Sequence, residues 1–279
     1  MLKITGLFGH PLKHSLSPQM HNAAFRALGM TDWEYELFDF SPEELPAKMQ
    51  MLREDASIQG VNVTVPYKIA VLQYLDQIDP LANKIGAVNT IKKSGAKLIG
   101  YNTDAPGFYG SLTEDAGWPK GKVARKVLLL GAGGAARSVL FILQDLGLFQ
   151  ELYIYDVIAE AAEKLVLSAG DPGGRVKTAM ADQLQVLANG ADLIINASGT
   201  GSSHSLGASP LPGSVFHEGQ MVYDLGYNPK ETELMRIAKL ESVRTCNGLG
   251  MLIRQGALAF EIFTGIRPAV EVMRRAAGG

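Results

Sequence analysis

Polar side chains that suit acid–base chemistry follow several predicted strands in the first 104 residues. Thr64 lies near the end of the valine-rich strand that starts at Gly60 and that Pro66 ends, Lys68 follows that strand, and Asp104 follows a later one. Ligands of α/β proteins bind outside the carboxyl ends of strands, so these positions are candidates for a site. A lysine that opens a helix is unusual, because helix N-termini favour negative charge. Together with Asn89, these residues offer the hydroxyl, amide, amine and carboxylate groups that would bind a polyhydroxylated acid.

Each candidate also has an ordinary structural interpretation. Asp104 is typical of a cap for a helix that starts near Pro106, and Ser17 followed by proline is typical of a cap for a helix that runs to about residue 29. Gln255 lies on an apolar helix, where a simply exposed glutamine is an equally good interpretation. Three histidines near the N-terminus match no metal-binding spacing and lack a supporting ligand set, so no metal is expected. These histidines are His10, His14 and His21.

A glycine-rich turn in the middle of the chain predicts a dinucleotide-binding unit. The apolar strand 127–130 leads into Gly131-x-Gly133-x-x-Ala136, and a helix with one apolar face follows. Gly131 permits a tight turn, Gly133 lets a pyrophosphate approach the helix N-terminus, and Ala136 allows close packing. Such turns also occur without a ligand, and methyltransferases use a similar turn for S-adenosylmethionine. The strand before the turn and the helix after it favour a dinucleotide.

Composition narrows the class of protein. The chain has 279 residues, of which 47% are hydrophobic and 19% charged, and its net charge is −2. Nothing in that charge attracts nucleic acid or an anionic membrane. The single cysteine, Cys246, excludes an intrachain disulfide and is typical of a cytoplasmic protein. Neither a signal peptide nor an apolar run of the roughly 20 residues that span a membrane is expected.

Strands and helices alternate along the chain, which predicts an α/β fold with a parallel doubly wound sheet in its second part. A domain boundary is expected at the start of the stretch 105–125, which holds a connecting helix and then a polar segment.

Seven motifs resemble the shikimate dehydrogenase family, whose members interconvert 3-dehydroshikimate and shikimate. In chain order they are Ser15-Leu16-Ser17-Pro18 with His21-Asn22, Asn62-Val63-Thr64-Val65-Pro66 with Lys68, Gly86-Ala87-Val88-Asn89-Thr90, Asn102-Thr103-Asp104, Gly131–Ala136, Tyr223-Asp224 with Tyr227-Asn228-Pro229, and Gly250-Met251-Leu252 with Gln255. The resemblance spans nearly the whole chain. It implies an oxidoreductase of chorismate and aromatic amino acid biosynthesis that uses NAD or NADP and a small-molecule substrate.

The resemblance also implies an architecture and a set of roles. An α/β substrate domain of residues 1–104, completed by helices of residues 248–279, would face a Rossmann-type domain of residues 105–247 across a cleft. Lys68 and Asp104 would form the catalytic pair, with the lysine as acid and base. The implied substrate-binding residues are Ser15, Ser17, Thr64, Asn89, Asp104, Tyr227 and Gln255. The implied cofactor-binding residues are Gly131, Ala132, Gly133, Gly134, Ala135, Asp156, Ser198, Leu225 and Gly248.

One stretch departs from the family pattern. Where the family commonly has Asn-Arg-Thr, with the arginine on the 2′-phosphate of NADP, this chain has Asp156-Val157-Ile158. A carboxylate here, 25 residues after Gly131, would bind the ribose hydroxyls of NAD and repel a 2′-phosphate. We therefore expect NAD to be preferred over NADP. Arg137 and Lys164 are the candidate cations that would weaken this preference.

Smaller departures leave the docking of the nicotinamide and the substrate range open. These are Ser198-Gly199-Thr200 and Gly226, which replaces a larger apolar residue. Shikimate is the first expectation, and an NAD-dependent quinate/shikimate dehydrogenase is the second. A non-catalytic sensor on the same scaffold would be expected to have lost Lys68 or Asp104, and both are present. The expected assembly is a monomer or a homodimer.

Overall fold

The structure is a computed structural model that describes residues 2–13, 15–202 and 205–278. The chain divides into two compact units. Unit 1 runs to Gly107 and resumes at Leu252, and unit 2 is Phe108–Met251. Each unit is an α/β structure built on its own sheet, which confirms the predicted fold class.

The strands and helices have the following bounds. The strands are β1 (Lys3–Gly9), β2 (Trp33–Asp39), β3 (Ile58–Val63), β4 (Gln77–Ile78), β5 (Thr90–Ser94), β6 (Lys97–Tyr101), β7 (Ala124–Leu130), β8 (Phe149–Tyr155), β9 (Val176–Thr178), β10 (Leu193–Asn196), β11 (Met221–Asp224) and β12 (Arg244–Asn247). The helices are α1 (Ser17–Ala27), α2 (Leu45–Glu54), α3 (Pro80–Ile85), α4 (Asp104–Glu114), α5 (Gly134–Asp145), α6 (Ala159–Ser168), α7 (Leu184–Asn189), α8 (Glu233–Leu240), α9 (Leu249–Thr264) and α10 (Val270–Ala276). In the described part of the chain, none of these helices has the length and apolar character needed to cross a membrane.

The sheet of unit 1 has the strand order β2-β1-β3-β5-β6-β4. Strand β1 lies parallel to both β2 and β3, and Thr5 of β1 is the register partner of Tyr35 in β2. Strand β5 runs antiparallel to β3 and β6, so β3 and β6 point the same way. The segments that follow β3 and β6 therefore leave the sheet at the same end of its strands. This brings the stretch 64–68 and the stretch 102–104 to the same end of the unit.

The sheet of unit 2 is fully parallel, with the order β12-β11-β10-β7-β8-β9. Successive strands build outward in opposite directions from β7, so the strand order reverses between β7 and β10, which is where α/β sheets bind ligands. Apolar residues cover both sheet faces. Leu129 and Leu152 belong to a core that includes helix α5, while Leu128 and Ile194 belong to a core that includes α8. Helices on both faces make this a doubly wound sheet of the Rossmann type.

Two local predictions were wrong, and one alternative interpretation does not hold. Helix α1 begins at Ser17 itself, with Leu16 at the cap position, because the backbone N–H of Ser17 is already bound by the Ser15 side chain. Lys68 lies in a turn before a 3-10 helix, Ala70–Tyr74, because Tyr67 turns inward and its hydroxyl donates to the Phe40 carbonyl. The alternative interpretation of Asp104 as a simple cap does not hold, because Asp104 is the first residue of α4 and its carboxylate bonds the side chains of Lys68 and Asn89.

Candidate active site

Lys68 and Asp104 form a buried ion pair in unit 1. The lysine Nζ lies 2.6 Å from Oδ2 of Asp104, and the two side chains are 13% and 6% exposed. The Lys68 carbonyl accepts a hydrogen bond of 2.8 Å from the Val88 N–H, which fixes the turn that carries the lysine. Asp104 opens α4, where a negative charge is favoured. The pair thus places a proton donor and an acceptor side by side with little access to water.

Asn89 joins this ion pair to a third element of unit 1. Its Nδ2 donates to Asp104 Oδ1 at 2.8 Å and lies 3.3 Å from Oε1 of Gln255 on α9. Its Oδ1 accepts from the Thr103 N–H at 2.8 Å. Close packing sets the position of Gln255, because a Cβ on Gly107 would lie only 2.9 Å from the Gln255 backbone nitrogen. The structure therefore brings four of the predicted site residues, Lys68, Asn89, Asp104 and Gln255, into one cluster.

Ser15 and Ser17 lie at the start of α1. Ser15 is half-buried and its Oγ accepts from the Ser17 N–H at 3.3 Å. Ser17 is buried at the first position of α1. Thr64 is half-buried directly after β3, with its N–H bound to the Phe8 carbonyl at 2.8 Å. These hydroxyls follow strands β1 and β3, so they lie at the same end of the sheet as the ion pair.

In unit 2, the glycine-rich turn follows β7 as expected. Gly131 has φ +102°, and a Cβ there would lie 2.7 Å from the Ala197 carbonyl carbon, so both conformation and space require glycine. Gly133 is different, because a Cβ built on it would meet no atom of the chain within 4 Å. It stands at the cap of α5, ahead of Gly134 and Ala135. Internal packing does not explain the glycine at 133, whereas a ligand close to the backbone would.

Asp156 connects this turn to the end of β8. Its Oδ2 accepts from the Ala132 N–H at 2.8 Å, and its Oδ1 accepts from the Ile158 N–H at 2.9 Å. The next two side chains extend into solvent, since Val157 is 87% exposed and Ile158 is 61% exposed. The carboxylate is therefore fixed beside the glycine-rich turn.

The two candidate cations are placed differently. Arg137 is half-buried, its Nη1 donates to Ser168 Oγ at 2.9 Å, and its Nε is buried without a hydrogen-bond partner. Burial lowers the pKa of the Arg137 guanidinium from its ordinary value. Lys164 is exposed on α6. Arg137 is thus engaged with α6 rather than with the Asp156 carboxylate.

Four further predicted residues follow the remaining strands of unit 2. The Ser198 hydroxyl donates to Asn196 Oδ1 at 2.6 Å, and the Leu225 N–H donates to the Asn196 carbonyl at 2.8 Å. Gly248 approaches its neighbour so closely that a Cβ would lie 1.9 Å from the Leu225 carbonyl oxygen. Tyr227 is half-buried in the same part of unit 2, and burial raises the pKa of its phenol.

A metal site has no support in the described residues. In the segments 2–13, 15–202 and 205–278, no group of three His, Cys, Asp or Glu side chains is close enough to hold an ion. His10 bonds Asp39 at 2.7 Å, and His21 is buried against aromatic rings. His14 lies outside the described residues.

Comparison with known proteins identifies the family. The model of the shikimate dehydrogenase substrate binding domain matches residues 7–91, and that of the shikimate 5′-dehydrogenase C-terminal domain matches residues 248–277. A protein of Methanocaldococcus jannaschii named shikimate dehydrogenase (NADP(+)) is 42% identical to this chain. The match covers 98% of this chain and 95% of the length of that protein. The chain belongs to the shikimate dehydrogenase family. It is accordingly related to oxidoreductases, as the motifs implied.

Solved structures of the family agree with the fold. Shikimate 5-dehydrogenase of Thermus thermophilus in complex with NADP(H) and shikimate has a TM-score of 0.86 and 38% identity, covering 100% of this chain and 99% of its own. Quinate dehydrogenase of Corynebacterium glutamicum in complex with NAD has a TM-score of 0.87 and 30% identity, covering 99% and 98%. Both nicotinamide dinucleotides are therefore bound by relatives of this chain.

No individual role was predicted from the sequence for Tyr35, Asn62 or Asp224, three buried residues that hydrogen-bond to other buried polar groups of the two units. The Tyr35 hydroxyl donates to Asn62 Oδ1 at 2.8 Å, and Asn62 Nδ2 donates to Thr90 Oγ1 at 3.0 Å. In unit 2, Asp224 accepts from Asn196 Nδ2 at 3.1 Å and from the Thr232 hydroxyl at 2.8 Å, and burial raises its pKa. Tyr35 stands in an ordinary alternating strand, so only the three-dimensional contacts reveal it.

Proposed function

We propose that this chain catalyses the reversible transfer of hydride between a nicotinamide dinucleotide and the 3-dehydroshikimate/shikimate pair. The observation that carries the proposal is the buried Lys68–Asp104 pair, held at 2.6 Å and bonded through Asn89 to the helix that bears Gln255. The family supports it, and it places the reaction in chorismate and aromatic amino acid biosynthesis. The single cysteine of this chain is in keeping with a cytoplasmic enzyme.

The proposed chemistry divides between lysine and carboxylate. When a carbonyl is reduced, negative charge builds on its oxygen, and the Lys68 ammonium donates a proton to it. In the reverse direction the neutral Lys68 amine accepts the hydroxyl proton. Asp104 keeps Nζ in place, and its remaining lone pairs accept a substrate hydroxyl. A positioned acid–base group of this kind contributes roughly 10²–10⁴-fold to the rate.

The remaining unit 1 residues would bind and orient the substrate. Ser15 and Ser17 supply hydroxyl donors for its carboxylate. Thr64, Asn89 and Gln255 supply hydrogen bonds for the ring hydroxyls. Tyr227 of unit 2 would contribute near the carboxylate. The domain roles follow, with substrate on residues 1–104 and 248–279 and dinucleotide on residues 105–247.

Unit 2 offers the groups that a dinucleotide needs. The backbone at Gly133 and the N-terminus of α5 suit a pyrophosphate, because a Cβ on Gly133 meets only open space. The backbones of Ala132, Gly134 and Ala135 continue this surface. Ser198, Leu225 and Gly248 would hold the nicotinamide end. The bound cofactor would supply or accept the hydride.

We further propose that NAD is preferred over NADP. The fixed carboxylate of Asp156 suits the free ribose hydroxyls and opposes the charge of a 2′-phosphate. Val157 and Ile158 add no cation. The relative from M. jannaschii is named for NADP(+), so this preference would set the chain apart from it.

Initial rates of shikimate oxidation with NAD and with NADP test these proposals, followed by the same assay with quinate. Activity with NAD well above that with NADP supports both the function and the role of Asp156. Activity with NADP alone keeps the function and overturns the NAD preference. A kcat/KM for quinate comparable to that for shikimate would favour a quinate/shikimate dehydrogenase. No activity with either cofactor would overturn the proposed function.

A further inference from the structure

Tyr35 is held more firmly than a strand residue of an ordinary sheet requires. It is 2% exposed, and its ring stacks on that of His21 with centroids 4.2 Å apart. The side chain of Asn22 binds its backbone twice, accepting from the Tyr35 N–H at 2.9 Å and donating to its carbonyl at 3.0 Å. Backbone and ring are thus both fixed, and the phenol hydroxyl has a defined position inside unit 1.

The direction of the hydrogen bonds around this hydroxyl follows from donor chemistry. The backbone carbonyl of Asn89 can only accept, so the atom of Asn62 that faces it at 3.2 Å is the amide nitrogen. The Asn62 oxygen therefore faces Tyr35 and accepts its proton at 2.8 Å. The single proton of the Tyr35 hydroxyl is therefore committed to Asn62.

The same reasoning continues to the ion pair. Asn62 Nδ2 donates to Thr90 Oγ1 at 3.0 Å, and Thr90 donates to Asn89 Oδ1 at 3.2 Å. Asn89 Nδ2 then donates to Asp104 Oδ1 at 2.8 Å, while the other Asp104 oxygen binds Lys68. Every donor in this chain points from Tyr35 towards the carboxylate. Buried chains of this kind are strengthened because each bond polarises the next.

We infer that Tyr35 is a positioning residue whose hydroxyl supports the Lys68–Asp104 pair through Asn62, Thr90 and Asn89. The inference rests on the proposed function. The Tyr35 hydroxyl fixes the Asn62 amide and, through it, the groups that hold Asp104. Its loss should therefore impair turnover more than substrate binding.

Single and double variants test this inference against the wild-type enzyme. Tyr35→Phe and Thr90→Val each remove one hydroxyl of the chain, and we expect each to lower kcat about tenfold, the size of one hydrogen bond. The double variant should lose about as much as one single variant, because both interrupt the same chain. KM for shikimate should stay within about twofold of the wild-type value, since neither Tyr35 nor Thr90 is among the proposed substrate-binding residues.

Thr5→Val is the matched control. Thr5 is fully buried, pairs in register with Tyr35, and donates to the Glu34 carbonyl at 3.3 Å outside the chain of bonds. The Thr5→Val variant should lose about as much thermal stability as Tyr35→Phe or Thr90→Val, while its kcat stays near the wild-type value. If Tyr35→Phe does not fold, the loss of kcat in Thr90→Val relative to Thr5→Val decides the question.

Several outcomes would overturn the inference. These are an unchanged kcat in Tyr35→Phe, a loss confined to KM, additive losses in the double variant, or an equal loss of kcat in Thr5→Val. With an active wild-type enzyme, each of them leaves the proposed function standing. An inactive wild-type enzyme would overturn the proposed function and, with it, this inference.

Discussion

The two units hold their strand-end carboxylates by different means. In unit 1, Asp104 is paired with an ammonium at 2.6 Å, and both groups are largely buried. In unit 2, Asp156 accepts from two backbone N–H groups, and Asp224 accepts from an amide, a hydroxyl and a backbone N–H. A carboxylate with a buried lysine is equipped to move a proton. Carboxylates held by neutral donors fix loops and present oxygens to hydroxyl groups. This difference is what the proposed function requires, with chemistry in unit 1 and cofactor recognition in unit 2.

The largest effect is expected from Lys68→Ala, which removes the proposed acid and base. Turnover of shikimate should fall by roughly 10²–10⁴-fold, while the affinity for the dinucleotide, measured by NADH fluorescence, stays nearly unchanged. Lys177→Ala is the control, because Lys177 forms an ion pair of the same 2.6 Å length with Glu151 but both side chains are about 40% exposed. Near-normal turnover in Lys68→Ala, or an equal loss in Lys177→Ala, would contradict the division of roles.

A smaller change is expected when the carboxylate of unit 2 is altered. Asp156→Asn combined with Val157→Arg keeps an oxygen for the Ala132 N–H, removes the negative charge and adds a cation. The ratio of kcat/KM for NADP to that for NAD should rise by about 10–100-fold, corresponding to one charged hydrogen bond. Leu167→Arg places a cation on an exposed site of α6 and should leave the ratio unchanged. An unaltered ratio in the double variant would show that the ribose is recognised elsewhere.

Much of the fold could be predicted because local patterns and global structure agree. The apolar strand β7 and the turn at Gly131 were predictable, since a φ of +102° and a 2.7 Å approach permit only glycine. The turn at Lys68 was not, because its conformation depends on the burial of Tyr67 and on a bond between the Lys68 carbonyl and Val88. Contacts between residues far apart in the chain leave no local signal.

The candidate site shows the same division. Residue type and strand-end position singled out Lys68 and Asp104, and the structure places them together, while their catalytic roles stay a prediction. Tyr35 carried no such signal, because a tyrosine in an alternating strand is common and its hydroxyl partner, Asn62, lies 27 residues away. The position of Arg137 was equally hidden, since its engagement with Ser168 depends on the packing of α5 and α6.

The histidines extend the comparison to stability. His21 of unit 1 is buried among aromatic rings, and burial lowers its pKa from 6.5 to about 3. The unfolded chain therefore binds a proton that folded unit 1 does not, and stability is lost as pH falls below 6.5 towards 3. Unfolding free energy should fall by about 2 kcal/mol from pH 7 to pH 5 on this account. His21→Phe keeps the stacked ring and should remove that loss.

Urea unfolding in a Trp118→Phe background reports this effect, because Trp33 is then the remaining tryptophan and belongs to unit 1. The dependence of unfolding free energy on pH is compared with and without the His21→Phe substitution, which isolates the histidine from the carboxylates that titrate nearby. Identical pH dependences would show that His21 takes up its proton in the folded state, and the burial argument would be wrong.

The smallest effect, of opposite sign, is expected at His217 in unit 2. Its two ring nitrogens lie 2.9 Å from the Glu218 carbonyl and 2.8 Å from the Asn189 carbonyl, and these acceptors raise its pKa because only the doubly protonated ring can donate to both. The stabilisation is present below pH 6.5 and is lost as pH rises through the raised pKa. Since the side chain is exposed, His217→Gln should change this dependence by less than about 0.5 kcal/mol. Urea unfolding between pH 6 and pH 8 in a Trp33→Phe background measures this pH dependence. If His217→Gln instead abolished a loss of stability towards low pH, protonation of His217 would be destabilising and the argument would be wrong.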